Sequence, residues 1–171
     1  MNTLKCIGAV GVLAGSCAMG FACAATVNAE ITSLRRLVSA LNYMSCELQY
    51  RLTPLPELCR KTAGECKGSL RHLFNNLSQE IENQISPDVK SCMRSALSKT
   101  KKIPSLTEKS LKMLGASLGR FDLAGQINGL ELVRNHCQNI LKELALEKGS
   151  RLRTYKTLGI CAGAAIVIIL V

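Results

Sequence analysis

Two cysteine–histidine pairs are the first candidates for chemistry: Cys66 with His72, and His136 with Cys137. A thiol and an imidazole make a nucleophile and base only within hydrogen-bond reach. Neighbours on a helix point about 100° apart, so His136 and Cys137 do not naturally meet. Cys66 and His72 lie six apart, on poorly aligned helical faces. A Cys/His enzyme is therefore the weakest function class here. Nine cysteines are present, but no CxxC occurs, and the closest pair in the charged part of the chain is Cys59 and Cys66. That spacing is too wide for a zinc site, and the odd number of five cysteines in the charged part makes a disulfide framework weak. The cysteines read as free thiols, and no cofactor or metal is expected.

A third candidate is LGASLGRFDLAGQ, Leu114 to Gln126. A phosphate-binding P-loop needs GxxxxGK followed by Ser or Thr. Gly115 and Gly119 are four apart, and Arg120 follows. A dinucleotide fingerprint needs a preceding strand, whereas the residues before Leu114 have a helical pattern. The stretch reads instead as a corner between two helices. Gly115 and Gly119 share a face that admits a neighbouring backbone. Gly119 is placed to end its helix in the left-handed conformation. Asp122 can cap the next helix through amides near Ala124 and Gly125, with Gln126 one turn on. Leu114 and Leu118 join the glycines as the internal seam.

The elements that position this corner are helical. The apolar residues are mostly Leu, Ala, Ile and Val, with no Trp. Ile31, Leu34, Leu37, Leu41, Met44 and Leu48 recur at helical spacing and predict a helix ending near Arg51. Thr53, Pro54 and Pro56 break it and begin another, with Glu57 in the new first turn and Gly64 at its end. Leu70, Leu73, Phe74, Leu77, Ile81 and Ile85 make a third apolar stripe. Ser86 and Pro87 are placed as cap and first residue of a short helix to about Ser98. Lys99, Lys101 and Lys102 form a basic linker. Ser105 and Glu108 have capping-box spacing, and Glu108 with Lys112 is an i,i+4 pair. Leu111 extends the buried edge of Leu114 and Leu118. Ile127, Leu130, Val133, Cys137, Ile140, Leu141 and Leu144 continue a long helix. The predicted fold is all-α: a small antiparallel bundle of five or six helices with apolar membrane segments at both ends.

Those ends set the organisation. Cys6 to Asn28 carries no charged side chain, a length that spans a bilayer. The run exceeds the h-region of a signal peptide, so residues 1–28 read as a retained transmembrane helix rather than one cleaved near Val27–Ala29. Residues 157–171 are also uncharged. At about 22 Å of helix they are short for a full span and read as transmembrane or membrane-inserted. Between them, residues 29–156 hold 21 of the 22 Lys and Arg and all 12 acidic residues, a net charge of +9. Arg35 and Arg36 follow the first apolar run; Arg151, Arg153 and Lys156 precede the second. Basic flanks on the middle segment place it in the cytoplasm, and anionic headgroups are natural partners for them. The basic residues are dispersed and lack interleaved aromatics, so no nucleic acid is expected.

LGASLGRFDLAGQ and YRLTPLPELC, Tyr50 to Cys59, resemble the signatures of the stage III sporulation protein AB family. The apolar ends LKCIGAVGVLAGSCAMGF and YKTLGICAGAAIVIILV fit that family's two membrane ends. The resemblance covers the whole chain. Arg51 departs from it, standing where the pattern has Gly. The resemblance implies a non-catalytic platform in the mother-cell membrane, part of a channel complex facing the forespore. Its cytoplasmic part would be similar to domains of type II secretion and type IV pilus platform proteins. Its partners would be a stage III sporulation protein AA-type ATPase and other membrane components of the channel, with homo-oligomerisation an open alternative. Candidate contact residues are Arg120, Asp122 and Gln126 at one corner and Tyr50, Thr53 and Glu57 at the other.

Overall fold

The computed structural model describes the backbone of residues 2–83, 88–119 and 122–170, and side chains over 25–83, 88–119 and 122–146. Six helices follow in order: α1 Asn2–Arg51, α2 Leu55–Glu65, α3 Ser69–Glu82, α4 Val89–Lys99, α5 Ser105–Ser117 and α6 Leu123–Leu170. No strand occurs among the described residues. The chain divides into two compact units, Ala29–Leu141 and a second formed by Met1–Asn28 with Lys142–Val171. Among the described residues no helix is long and apolar enough to cross a membrane. The apolar ends read from the sequence fall largely outside the described side chains.

Within Ala29–Leu141, α2 packs on α3, α3 on α4, and α4 on α5. The apolar stripe of α1 supplies Leu34, Leu37, Leu41, Met44 and Leu48 to the core. Leu70, Leu73, Phe74 and Leu77 of α3 are buried, as are Leu111 and Leu114 of α5 and Leu118 just after it. Leu130, Val133 and Cys137 extend the core from α6. Each set repeats every three or four residues, which places it on one face of its helix. The burial of these leucines supplies the main drive for association, at about 25 cal/mol per Å².

Helix boundaries show where local rules hold. The α1 helix ends at Arg51, and Leu52 takes the left-handed backbone, φ 51°. A leucine is strained there by about 1–2 kcal/mol. Pro54 precedes α2, and Glu57 lies in its first turn. Gly64 does not end α2. The helix runs on to Glu65, and the left-handed turn falls at Gly68, φ 65°. Ser86 and Pro87 lie outside the described residues. The cap of α4 is Asp88, whose Oδ1 accepts from the Ser91 amide at 3.0 Å.

The capping box expected at Ser105 and Glu108 is replaced by a longer-range device. Pro104 occupies the cap position without a side-chain bond, and Ser105 is already the first helical residue. Glu30 of α1 takes over the cap. Its Oε1 accepts from the Leu106 amide and from Ser105 Oγ, each at 3.1 Å. Glu108 instead pairs with Lys112 at 2.6 Å. A buried carboxylate thus satisfies one of the amides that a helix start leaves open, and its charge suits that end of the helix. Replacing Glu30 with Ala is expected to cost about 0.5–2 kcal/mol, while Gln retains the acceptor and most of that stability. Urea unfolding of the full chain in neutral detergent measures the difference.

Candidate functional site

The two corners singled out in the sequence meet at one end of the body. Gly119 follows α5 with φ 74°, and Leu118 at the helix end is fully buried. A Cβ built on Gly119 would stand 2.5 Å from Val89 Cγ2 and 3.6 Å from Leu55 Cδ2. Gly119 therefore touches the first residue of α4 and the first residue of α2. One turn earlier, a Cβ on Gly115 would lie 2.6 Å from Met93 Cβ. The glycines form the seam along which α5 approaches α4.

Asp122 caps α6 as its spacing predicts. Its Oδ1 accepts from the Gly125 amide at 3.0 Å, and its carbonyl accepts from the Gln126 amide at 2.9 Å. Gln126 is half-buried. Arg120 lies outside the described residues. A close approach that the sequence did not flag is Gly129 on α6, where a Cβ would meet Ser117 Cβ at 2.7 Å. Its signal was a lone glycine inside a helical pattern.

At the other corner the expected contact residues separate. Tyr50 is 78 % exposed. Thr53 is buried, and its hydroxyl donates to Glu47 Oε2 at 3.0 Å. Thr53 thus sets the corner's geometry from inside. Glu57 is partly exposed and pairs with Lys61 at 3.4 Å. Glu47 on α1 is the hub. It is buried, and besides Thr53 it binds Lys61 Nζ at 3.2 Å and Arg51 Nη1 at 3.2 Å. Arg51 thus makes a local ion pair at the position where the resemblance has Gly.

These corners expose several large apolar side chains. Tyr50, Leu52 at 66 % and Leu123 at 40 % are three of the five exposed large apolar side chains among the described residues. Leu52 is also the strained residue. Exposed apolar groups on a rigid frame are the features of a protein-binding surface, and strain concentrates at such sites.

The cysteine–histidine pairs fare differently. Cys66 and Cys137 are buried, whereas His72 and His136 are exposed. Burial pushes the Cys66 thiol up to about 11 and raises that of Cys137. Cys59 is pushed to about 12 by the same cause. The thiolate is the nucleophile, and these thiols stay protonated near neutrality. No disulfide joins the five cysteines described. Among the described residues no cluster of His, Cys, Asp or Glu is arranged to hold a metal ion.

The described residues define an all-helical body, and comparisons with known proteins identify its family. The chain matches the model of the family described as Stage III sporulation protein AB (spore_III_AB) over residues 5–171, and it belongs to that family. It is similar to Stage III sporulation protein AB of Bacillus subtilis (strain 168), with 25% identity over 170 residues, covering 98% of this chain and 99% of that protein. A solved chain described as Stage III sporulation protein AB shares the fold. Its TM-score is 0.60 at 22% identity, covering 69% of this chain and 94% of that one.

Two outcomes follow from the corner geometry. Ala at Gly119 combines left-handed strain with a clash against the stiff Val89 side chain, an expected loss of about 2–5 kcal/mol in urea unfolding. The second concerns acid. Burial pushes the Glu47 carboxyl upward, but the Thr53 hydroxyl, Lys61 and Arg51 outweigh it and hold the group below its ordinary value of 4.5. A depressed carboxylate contributes stability that is complete above its unfolded value and is lost as pH falls through the folded one. Melting temperature should therefore decline below about pH 4.5, and Glu47→Gln should flatten that decline while lowering stability at neutral pH.

Proposed function

We propose that this protein is a non-catalytic, membrane-anchored adaptor of the sporulation machinery that docks a partner through the two-corner end of its helical body. The carrying observation is the joining of the corners. Gly119 locks Leu55 and Val89 together, and the same end presents Tyr50, Leu52 and Leu123. Asp122, Gln126 and Glu57 supply polar groups for the rim, and Thr53 holds the α1–α2 corner from within. A rigid apolar centre with a polar rim is the usual anatomy of an interface.

The uncharged runs at 6–28 and 157–171 are the anchors in this reading, with Arg35, Arg36, Arg151, Arg153 and Lys156 at their edges. The flanking charge favours a cytoplasmic body. Family membership supports a role in sporulation. The reading places the chain in the mother-cell membrane, within a secretion-like channel complex facing the forespore. Its docking partner is the AA-type ATPase of that complex.

The test is capture of that ATPase by full-length protein extracted from sporulating cells. Leu52→Gly is the informative variant, because Gly fits φ 51° without strain. Its melting temperature should equal or exceed that of the parent, while capture should fall several-fold. Tyr50→Ser should behave likewise without the gain in stability. Full capture by both variants would remove the α1–α2 corner from the interface.

A further inference from the structure

Three contacts gather distant segments at the end of the body opposite the two corners. Arg36 of α1 lies against the α2–α3 turn, its Nη1 3.6 Å from where a Cβ on Gly68 would stand. Ser69 Oγ donates to the Lys102 carbonyl at 3.2 Å. Glu30 binds the first turn of α5 at Ser105 and Leu106. From that turn α5 runs thirteen residues, about 20 Å, to the Gly119 corner.

These contacts bring together Arg36, Lys67, Lys101 and Lys102, all exposed. None of the four has a carboxylate partner among the described residues. The carboxylates on the gathered segments are Glu65, which is exposed, and Glu30, which is buried and already occupied by α5. Lys102 is held at φ 65°, a backbone that lysine rarely takes. Beside it opens a groove of about 370 Å³, lined by Arg94, Leu97, Ile103 and Lys112 among others. Glu108 in the same groove neutralises Lys112, which leaves Arg94 and Lys102 as its uncompensated charges.

We propose that this end of the body is a face for an anionic phospholipid surface, with the groove receiving a headgroup phosphate. Arg94 and Lys102 would hold the phosphate, and Leu97 and Ile103 offer apolar contact to the glycerol part. Polybasic segments are drawn to anionic leaflets in this way, and the attraction fades beyond a Debye length. Nucleic acid also presents phosphates, but the gathered segments contain no aromatic side chain on which a base would stack. The proposal rests on the membrane reading above. Glu30 and Arg36 follow the uncharged run 6–28 closely in sequence, which brings this end of the body to the bilayer if that run is inserted.

The test is lysine footprinting of the full chain in lipid nanodiscs. One set contains phosphatidylcholine alone, the other phosphatidylcholine with phosphatidylglycerol. An amine-reactive reagent is applied, and modification is read by mass spectrometry. Lys67, Lys101 and Lys102 should label several-fold more slowly in the anionic discs, and high salt should remove the difference. Lys90, exposed at the start of α4 near the other end, serves as reference and should label equally in both. Equal labelling of all four lysines in both discs, with the chain incorporated, overturns the lipid face alone. A chain that enters neither disc, read by size exclusion, overturns the membrane reading and this face with it.

Discussion

The space beside Gly119 is the constraint on which this architecture turns. A methyl group there would fall inside the van der Waals envelope of Val89, and the backbone already holds a left-handed angle that costs an L-residue strain. With hydrogen in that place, the start of α4, the start of α2 and the end of α5 share one point. Gly115 continues the same approach along α5 against Met93. The three helix ends are consequently close-packed there, and Tyr50, Leu52 and Leu123 are exposed at the same end of the body. Pre-organisation of this kind lowers the ordering cost of binding.

Buried carboxylates make the second set of long-range ties. Glu30 joins α1 to α5, Glu47 joins α1 to α2, and Glu80 on α3 is paired with Lys99 on α4. A buried charge without partners is costly, so each of these groups is stable only where its cations or amides converge. That requirement favours one register over others with similar apolar packing. The two ends of the body differ in character as a result. One end presents apolar side chains on glycine-locked corners. The other gathers cations around the α2–α3 turn and the α4–α5 linker.

Much of the fold was legible because its rules act within one turn of helix. The stripe from Leu34 to Leu48, the end of α1 at Arg51, the Asp122 cap and the left-handed Gly119 all follow from spacing and residue type. The misreadings arise where a distant group outcompetes a local one. Ser105 and Glu108 have capping-box spacing, yet Ser105 already lies inside the helix and Glu30 takes the Leu106 amide and the Ser105 hydroxyl. Thr53 reads as a surface residue of a proline turn, yet Glu47 draws its hydroxyl inward. Gly64 reads as a helix stop, but the reversal waits for Gly68, where the chain passes Arg36.

The sequence by itself determined the helical class, the family pattern, the uncharged ends and both corners, one marked by glycines and the other by prolines. Those properties are carried by periodicity and by backbone preferences that each residue expresses locally. Only the tertiary structure decided that the two corners are one place, that Glu30 and Glu47 are structural hubs, and that the segments carrying Lys67, Lys101 and Lys102 meet near Arg36. Packing and hydrogen bonding join residues up to 92 positions apart, and no local preference specifies which of those distant residues will meet.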